Sequence, residues 1–203
     1  MKKLALYICV LMGMPSVFGQ ELQLPTGNQY LADSEFLIMP TYAGIGNNVR
    51  VRLSATSQWV GFKEAPDYQS LSGDMRLGNR SGLGLSLYND RNGYTKQMGA
   101  KATFSHHLTL DSYDSHFVSF GISYLLNAFR IDIDKFTEAG RPRADAAVTD
   151  NRAMINHNFE VGVLYRYKGI FASLAATNIL NKNKEMFDVK EPTTLRNYNL
   201  YAG

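Results

Sequence analysis

The residues of this chain best suited to chemistry are its four histidines and the serines and carboxylates near them. Ser105 directly precedes His106 and His107, and Asp111-Ser112-Tyr113-Asp114 follows shortly after. Serine, histidine and an acid are the types of a hydrolytic triad, which works only when they lie within hydrogen-bond reach. The pattern argues against one: no Gly-x-Ser-x-Gly run is present, and the same residue types crowd any polar rim. A metal centre fares no better. His106 and His107 are neighbours and point to opposite faces of an extended chain, so they cannot share an ion there without distortion. His116 and His157 fall near strand ends, where solvated histidines are ordinary. The sequence therefore assigns no catalytic residue, no metal ligand and no cofactor, and the chain reads as a non-enzyme.

A second set of reactive types is ionic. Arg50, Arg52, Glu160, Arg166 and Lys168 each alternate with apolar residues, and that alternation defines the elements that carry them. From Asn158 to Lys168, Phe159, Val161, Val163, Tyr165 and Tyr167 lie on one side of an extended chain and Glu160, Gly162, Leu164, Arg166 and Lys168 on the other. After Lys168-Gly169 the alternation resumes to Thr177, a returning strand. A hairpin with one aromatic and one charged face fits either a soluble β-sandwich or a transmembrane β-barrel, whose crossing strands need about 9–11 residues. Val49, Val51, Leu53 and Ala55 then alternate with Arg50, Arg52, Ser54 and Thr56. Arginines on the wet face are costly in a dry core and natural in a water-filled lumen, which favours the membrane.

The other strands read as Tyr68–Leu77, Ser81–Asn89, Tyr94–Leu110, His116–Phe129 and a last one from near Arg196. Their outward positions carry Leu71, Leu83, Leu85, Leu87, Phe104, Phe120 and Ile122, and their inward positions Gly82, Gly84, Gln97, Lys101, Ser119, Gly121 and Ser123. Small and polar inward residues fit a lumen better than a sealed core. The fold class is thus all-β, a transmembrane antiparallel up-and-down β-barrel with about eight strands present. Short connections at Asn79-Arg80, Asp111–Ser115 and Lys168-Gly169 alternate with long ones at Trp59–Asp67, Arg130–Asn156 and Leu180–Leu195, as periplasmic turns alternate with extracellular loops, with Asp90–Gly93 the one short connection at the long-loop end. This facing predicts that Arg at Val163 meets lipid, whereas Arg at Gly162 is tolerated if the lumen has room.

Composition bounds the partners. The chain has 203 residues and a formal net charge of +3, with Lys and Arg interspersed among Asp and Glu, so no basic stripe exists for nucleic acid. Residues 1–19 have the basic start, apolar run and small residues of a secretory signal peptide, and Cys9, the only cysteine, lies inside it. Residues 20–48, broken by Pro25, Gly27, Pro40, Gly44 and Gly46, form an irregular lead-in that lies in the periplasm or plugs a lumen; residues 49–203 are the barrel. Trp59 and Phe62 flank Gly61 at the outer end of the first strand. They are either an aromatic belt with a loop anchor or a rigid apolar knob for a partner.

Met39-Pro40-Thr41-Tyr42-Ala43-Gly44, Gln58-Trp59-Val60-Gly61-Phe62 with Ala65-Pro66, Gly82-Leu83-Gly84 with Asn89-Asp90 and Gly93, the Phe159–Leu180 hairpin and Arg196–Gly203 together resemble the PorP/SprF family of outer-membrane proteins of type IX secretion and gliding motility. The family has Asn where this chain has Met39, and its members usually run on for further strands, from which the barrel is expected to be incomplete at its C-terminus. The resemblance implies localisation in the cell outer membrane and partners among outer-membrane lipid, type IX secretion components and a secreted surface adhesin or its C-terminal domain. It implies a role in receiving or anchoring such secreted proteins, with a passive or substrate-specific porin as the alternative. Trp59 and Phe62, with Arg141 and Arg143 of the longest loop, are the expected partner-binding residues. Arg50, Arg52, Glu160 and Arg166 are the expected lumen-facing charges.

Overall fold

A computed structural model describes residues 35–111, 115–132, 152–180 and 196–203. Residues 1–19 with Cys9, where a signal peptide is expected, and Arg141 and Arg143 lie outside these described residues. Two 3-10 turns, Glu35–Leu37 and Pro40–Tyr42, precede eight strands: β1 (Arg50–Ser57), β2 (Asp67–Leu77), β3 (Ser81–Asn92), β4 (Thr95–Thr109), β5 (His116–Ile131), β6 (Arg152–Tyr167), β7 (Ile170–Thr177) and β8 (Asn197–Ala202). Every strand pairs antiparallel with the next in a single sheet of order β1 to β8, the up-and-down topology expected. No pairing joins β1 to β8 among the described residues.

Residue parity decides the facing of each strand. Leu85, Phe120, Ile122, Leu174 and their neighbours stand exposed on the outer face, while Thr103, Ser105, Ser119, Ser123 and Ser173 are buried on the inner one. A soluble sandwich buries the opposite set, because apolar surface leaves water most favourably. Here the oily face is outermost, as hydrocarbon solvent requires.

Curvature follows from contacts to one short segment. The Gly44 amide donates to Asp74 Oδ2 of β2 at 2.9 Å, while the Tyr42 ring lies 6.0 Å from the Tyr201 ring of β8. In a flat sheet β2 and β8 would be about 29 Å apart, six spacings of about 4.8 Å. Two residues of chain cannot span that, so the sheet wraps around them.

The hairpin turns are short where their chemistry allows it. Lys168 and Gly169 both take positive φ, 45° and 92°, the signature of the two-residue turn whose twist matches the strands. One boundary differs from the sequence reading. The connection expected over Arg130–Asn156 is shorter, because the ladder continues through Arg130↔Ala153 and Ile131↔Arg152. Extending the pairing gives those backbone groups partners that a loop would leave to solvent.

Candidate functional site

The inner face of the sheet is occupied. Phe36, Met39, Pro40, Thr41 and Ala43 of the lead-in are buried against it. The described part of the lead-in thus lies on the inner face of the sheet.

Sequence dictates why the segment fits. Gly82, Gly84, Gly121 and Gly162 fall at inward positions of β3, β5 and β6. A Cβ on Gly82 would lie 2.1 Å from the Ala43 carbonyl oxygen, and one on Gly121 would lie 2.4 Å from the Pro40 carbonyl carbon. On Gly84 it would approach the Phe36 ring to 2.8 Å. Only glycine leaves the strand backbone bare enough for another backbone to lie on it. The small inward residues, read from sequence as lining a water-filled lumen, instead form the seat of this segment. The correction extends to Gly162, whose added Cβ would meet Thr41 Cγ2 at 3.2 Å and Pro40 Cγ at 3.3 Å, so no room for Arg exists there.

Polar side chains then latch the segment's orphan backbone groups. Ser105 Oγ donates to the Ala43 carbonyl at 2.5 Å, and His107 Nε2 lies 3.0 Å from the same oxygen. A carbonyl only accepts, so Nε2 carries the hydrogen, and Nδ1 faces Ser119 Oγ at 2.8 Å. Lys101 Nζ donates to the Leu37 carbonyl at 2.8 Å and ion-pairs with Glu160, both side chains almost wholly buried. Asp74 accepts from the Gly44 amide and, through two bonds of 2.9 Å, from Arg50. Thr41 Oγ1 reaches Ser173 Oγ at 3.3 Å. The Tyr42 hydroxyl is buried with no hydrogen-bond partner among the described residues, and burial, with Tyr201 and Glu35 nearby, pushes it up to about 12.

The expected lumen charges are distributed among these contacts. Arg50 is held by Asp74, with Glu35 at 3.7 Å, and Glu160 is held by Lys101. Arg166 sits over the Phe117 ring, 4.8 Å from its centroid, and Arg52 lies on the same inward parity of β1. Asp74 is the functional residue that sequence reasoning missed. Its signal was present, an acid among the inward positions of β2, but its partners lie in the lead-in and on β1.

The histidines separate as parity demands. His106 Nδ1 meets Ser81 Oγ at 3.1 Å and His107 faces the plug. His116 stacks on Tyr167 and contacts the Tyr165 hydroxyl at 2.7 Å. Ser105 is wholly buried under Ala43, so the Ser105–His107 contact serves the latch and offers no substrate a path to the hydroxyl. At the end with the longer connections, Trp59 and Phe62 are 70% and 77% exposed beside a cleft of about 390 Å³ also lined by Lys63, Glu64 and Pro66. The loop is ordered by the Phe62 amide bonding to the Trp59 carbonyl and by Gly93 bonding to Glu64.

Compared with known families, residues 19–203 match the model of the type IX secretion system membrane protein PorP/SprF. No curated protein and no solved structure matches the chain.

Proposed function

We propose a function from one premise: the chain belongs to the PorP/SprF family and is an outer-membrane component of type IX secretion. Within that system it receives or anchors secreted surface proteins, gliding adhesins among them, and does not conduct solute. The observation that carries this reading is the latched segment on the inner face. A porin needs a water-filled lumen, whereas here Lys101, Ser105, His107 and Asp74 fasten backbone across it. The loop that presents Trp59 and Phe62 supplies rigid, exposed aromatics of the kind that anchor interfaces. We assign partner contact to them and to Arg141 and Arg143.

The test pairs two measurements on the native protein. In a planar bilayer it should be electrically silent. Isolated from its own outer membrane it should bring a secreted surface protein with it, and Trp59→Ala with Phe62→Ala should reduce that recovery without lowering the amount of barrel. A steady open channel would instead favour the porin, and unchanged recovery from the double variant would remove the aromatic contact.

A further inference from the structure

Three cations line up across neighbouring strands on the outer face. Arg91 of β3 is paired directly with Lys96 of β4, and Lys96 directly with Arg130 of β5. All three are exposed and share the outward parity of Leu87, Met98 and Leu126. Like charges placed opposite one another across a ladder repel, and among the described residues none of the three forms an ion pair. Three carboxylates stand near the row and offset part of its charge. Asp67, opposite Arg91 on β2, accepts from Ser57 and Gln69. Glu64 and Asp132 line the same cleft of about 180 Å³ as the three cations, with Tyr94 and Thr95.

The height of the row matters as much as its charge. Directly below it on the same face come Asn89, Met98 and Ala128, then Leu87, Ala100 and Leu126, then Leu85, Ala102 and Tyr124. Each step is two residues, about 7 Å along the strand. The cations thus cap the apolar belt within one step of its edge, at the level where a lipid's headgroup meets its acyl chains. They lie at the end of the sheet that carries the longer connections.

We infer that Arg91, Lys96 and Arg130 form a binding site for the phosphorylated headgroup of an outer-leaflet glycolipid, lipid A in type, whose acyl chains run down the Leu87–Leu126 surface. The cations supply the charge that phosphate oxygens complete, and the belt beneath supplies the apolar wall. The choice of leaflet rests on the outward placement of the longer loops; the phosphate chemistry does not.

The full chain in detergent should be titrated with bisphosphorylated lipid A, with the same lipid stripped of phosphate, and with inorganic phosphate, binding being read by native mass spectrometry. Bisphosphorylated lipid A should bind roughly tenfold or more tighter than the stripped lipid, and added salt should weaken it. Arg91→Gln, Lys96→Gln and Arg130→Gln together should abolish the preference, Arg91→Lys with Arg130→Lys should keep most of it, and Arg80→Gln at the opposite end should leave it intact. Equal binding of the phosphorylated and stripped lipids overturns the site, as does a preference that survives the triple variant. If inorganic phosphate at millimolar concentration displaces lipid A completely, the row is a free-anion site and the lipid assignment fails. Should the triple variant not fold, the single variants and the salt dependence of the native chain decide. A loss of the phosphate preference leaves secreted-protein recovery untouched, so the two proposals fail separately.

Discussion

Gly82 and Ala43 meet so closely that a side-chain carbon on the glycine would sit 2.1 Å from the Ala43 carbonyl oxygen. Backbone therefore lies on backbone across the inner face, and a larger residue must push the segment off. Gly82→Val should lever it from its seat, at an overpacking cost of about 1–3 kcal/mol. The expected result is a conducting variant of a silent protein in bilayer recordings. A Gly82→Val protein as silent as the native one would mean that the segment does not close the lumen.

Lys101 and Glu160 are a buried ion pair, and breaking one side leaves the other charge stranded. Lys101→Met should cost about 3–5 kcal/mol of stability, and Lys101→Met with Glu160→Leu much less, because two apolar groups need no partner. Denaturant titration of the refolded barrel in detergent measures this. A double variant as weak as the single one would show that the Leu37 latch, and not the pair, is what Lys101 provides.

Val163 stands exposed on the outer face, four residues from the end of β6. Val163→Arg should be destabilising in lipid, with the about 2–4 kcal/mol of a midplane site as its upper bound. Gly162→Arg should also be destabilising, since Thr41 and Pro40 fill the space it would need. Thr56→Arg, inward on β1 and exposed there, should change stability by only about 0.5 kcal/mol. Unfolding of the three variants in lipid vesicles ranks them, and easy tolerance at Val163 would reverse the assigned facing.

Asp111 closes the β4–β5 turn by accepting from the Ser115 and His116 amides at 2.9 and 3.0 Å and from the Ser115 hydroxyl. The Ser115 hydroxyl, more than the His116 amide, holds its carboxyl below the usual range. A depressed folded value means that the stabilising contribution is present above the unfolded value of about 3.9 and is lost as pH falls through the lower folded one. Protection of the Ser115 and His116 amides from exchange, relative to the intrinsic rate at each pH, should thus be flat across neutral pH and fall only in strong acid, and Asp111→Ala should remove that dependence. An onset well above the carboxylate range would show that Asp111 does not govern the turn.

Sidedness has its own measurement. Trypsin added to intact cells should cut after Arg143, Arg141 being protected by Pro142, and spare Arg80, because the longer connections face outward. Cutting at Arg80 alone would invert the topology and move the cationic row to the inner leaflet.

Much of this architecture was legible in the residues, because strand parity is a local property. Whether Leu85 or Gly84 faces out depends on the pleat alone, and the oily set had to meet lipid. Short turns at Lys168-Gly169 and Asn79-Arg80 likewise follow from positions a few residues apart, so the order and facing of the strands were fixed by the sequence itself. The use of the inner face was not. Gly82, Gly121 and Gly162 announce that something small is needed, but water and a backbone segment satisfy that need equally on paper. The choice depends on contacts such as Thr41 with Ser173, 132 residues apart, and Gly44 with Asp74. It also depends on a sheet curled tightly enough to bring β2 and β8 to the same two residues. Only the tertiary structure closes that distance, and with it decides that residues 36–43 lie on the inner face and that Arg91, Lys96 and Arg130 stand in one row.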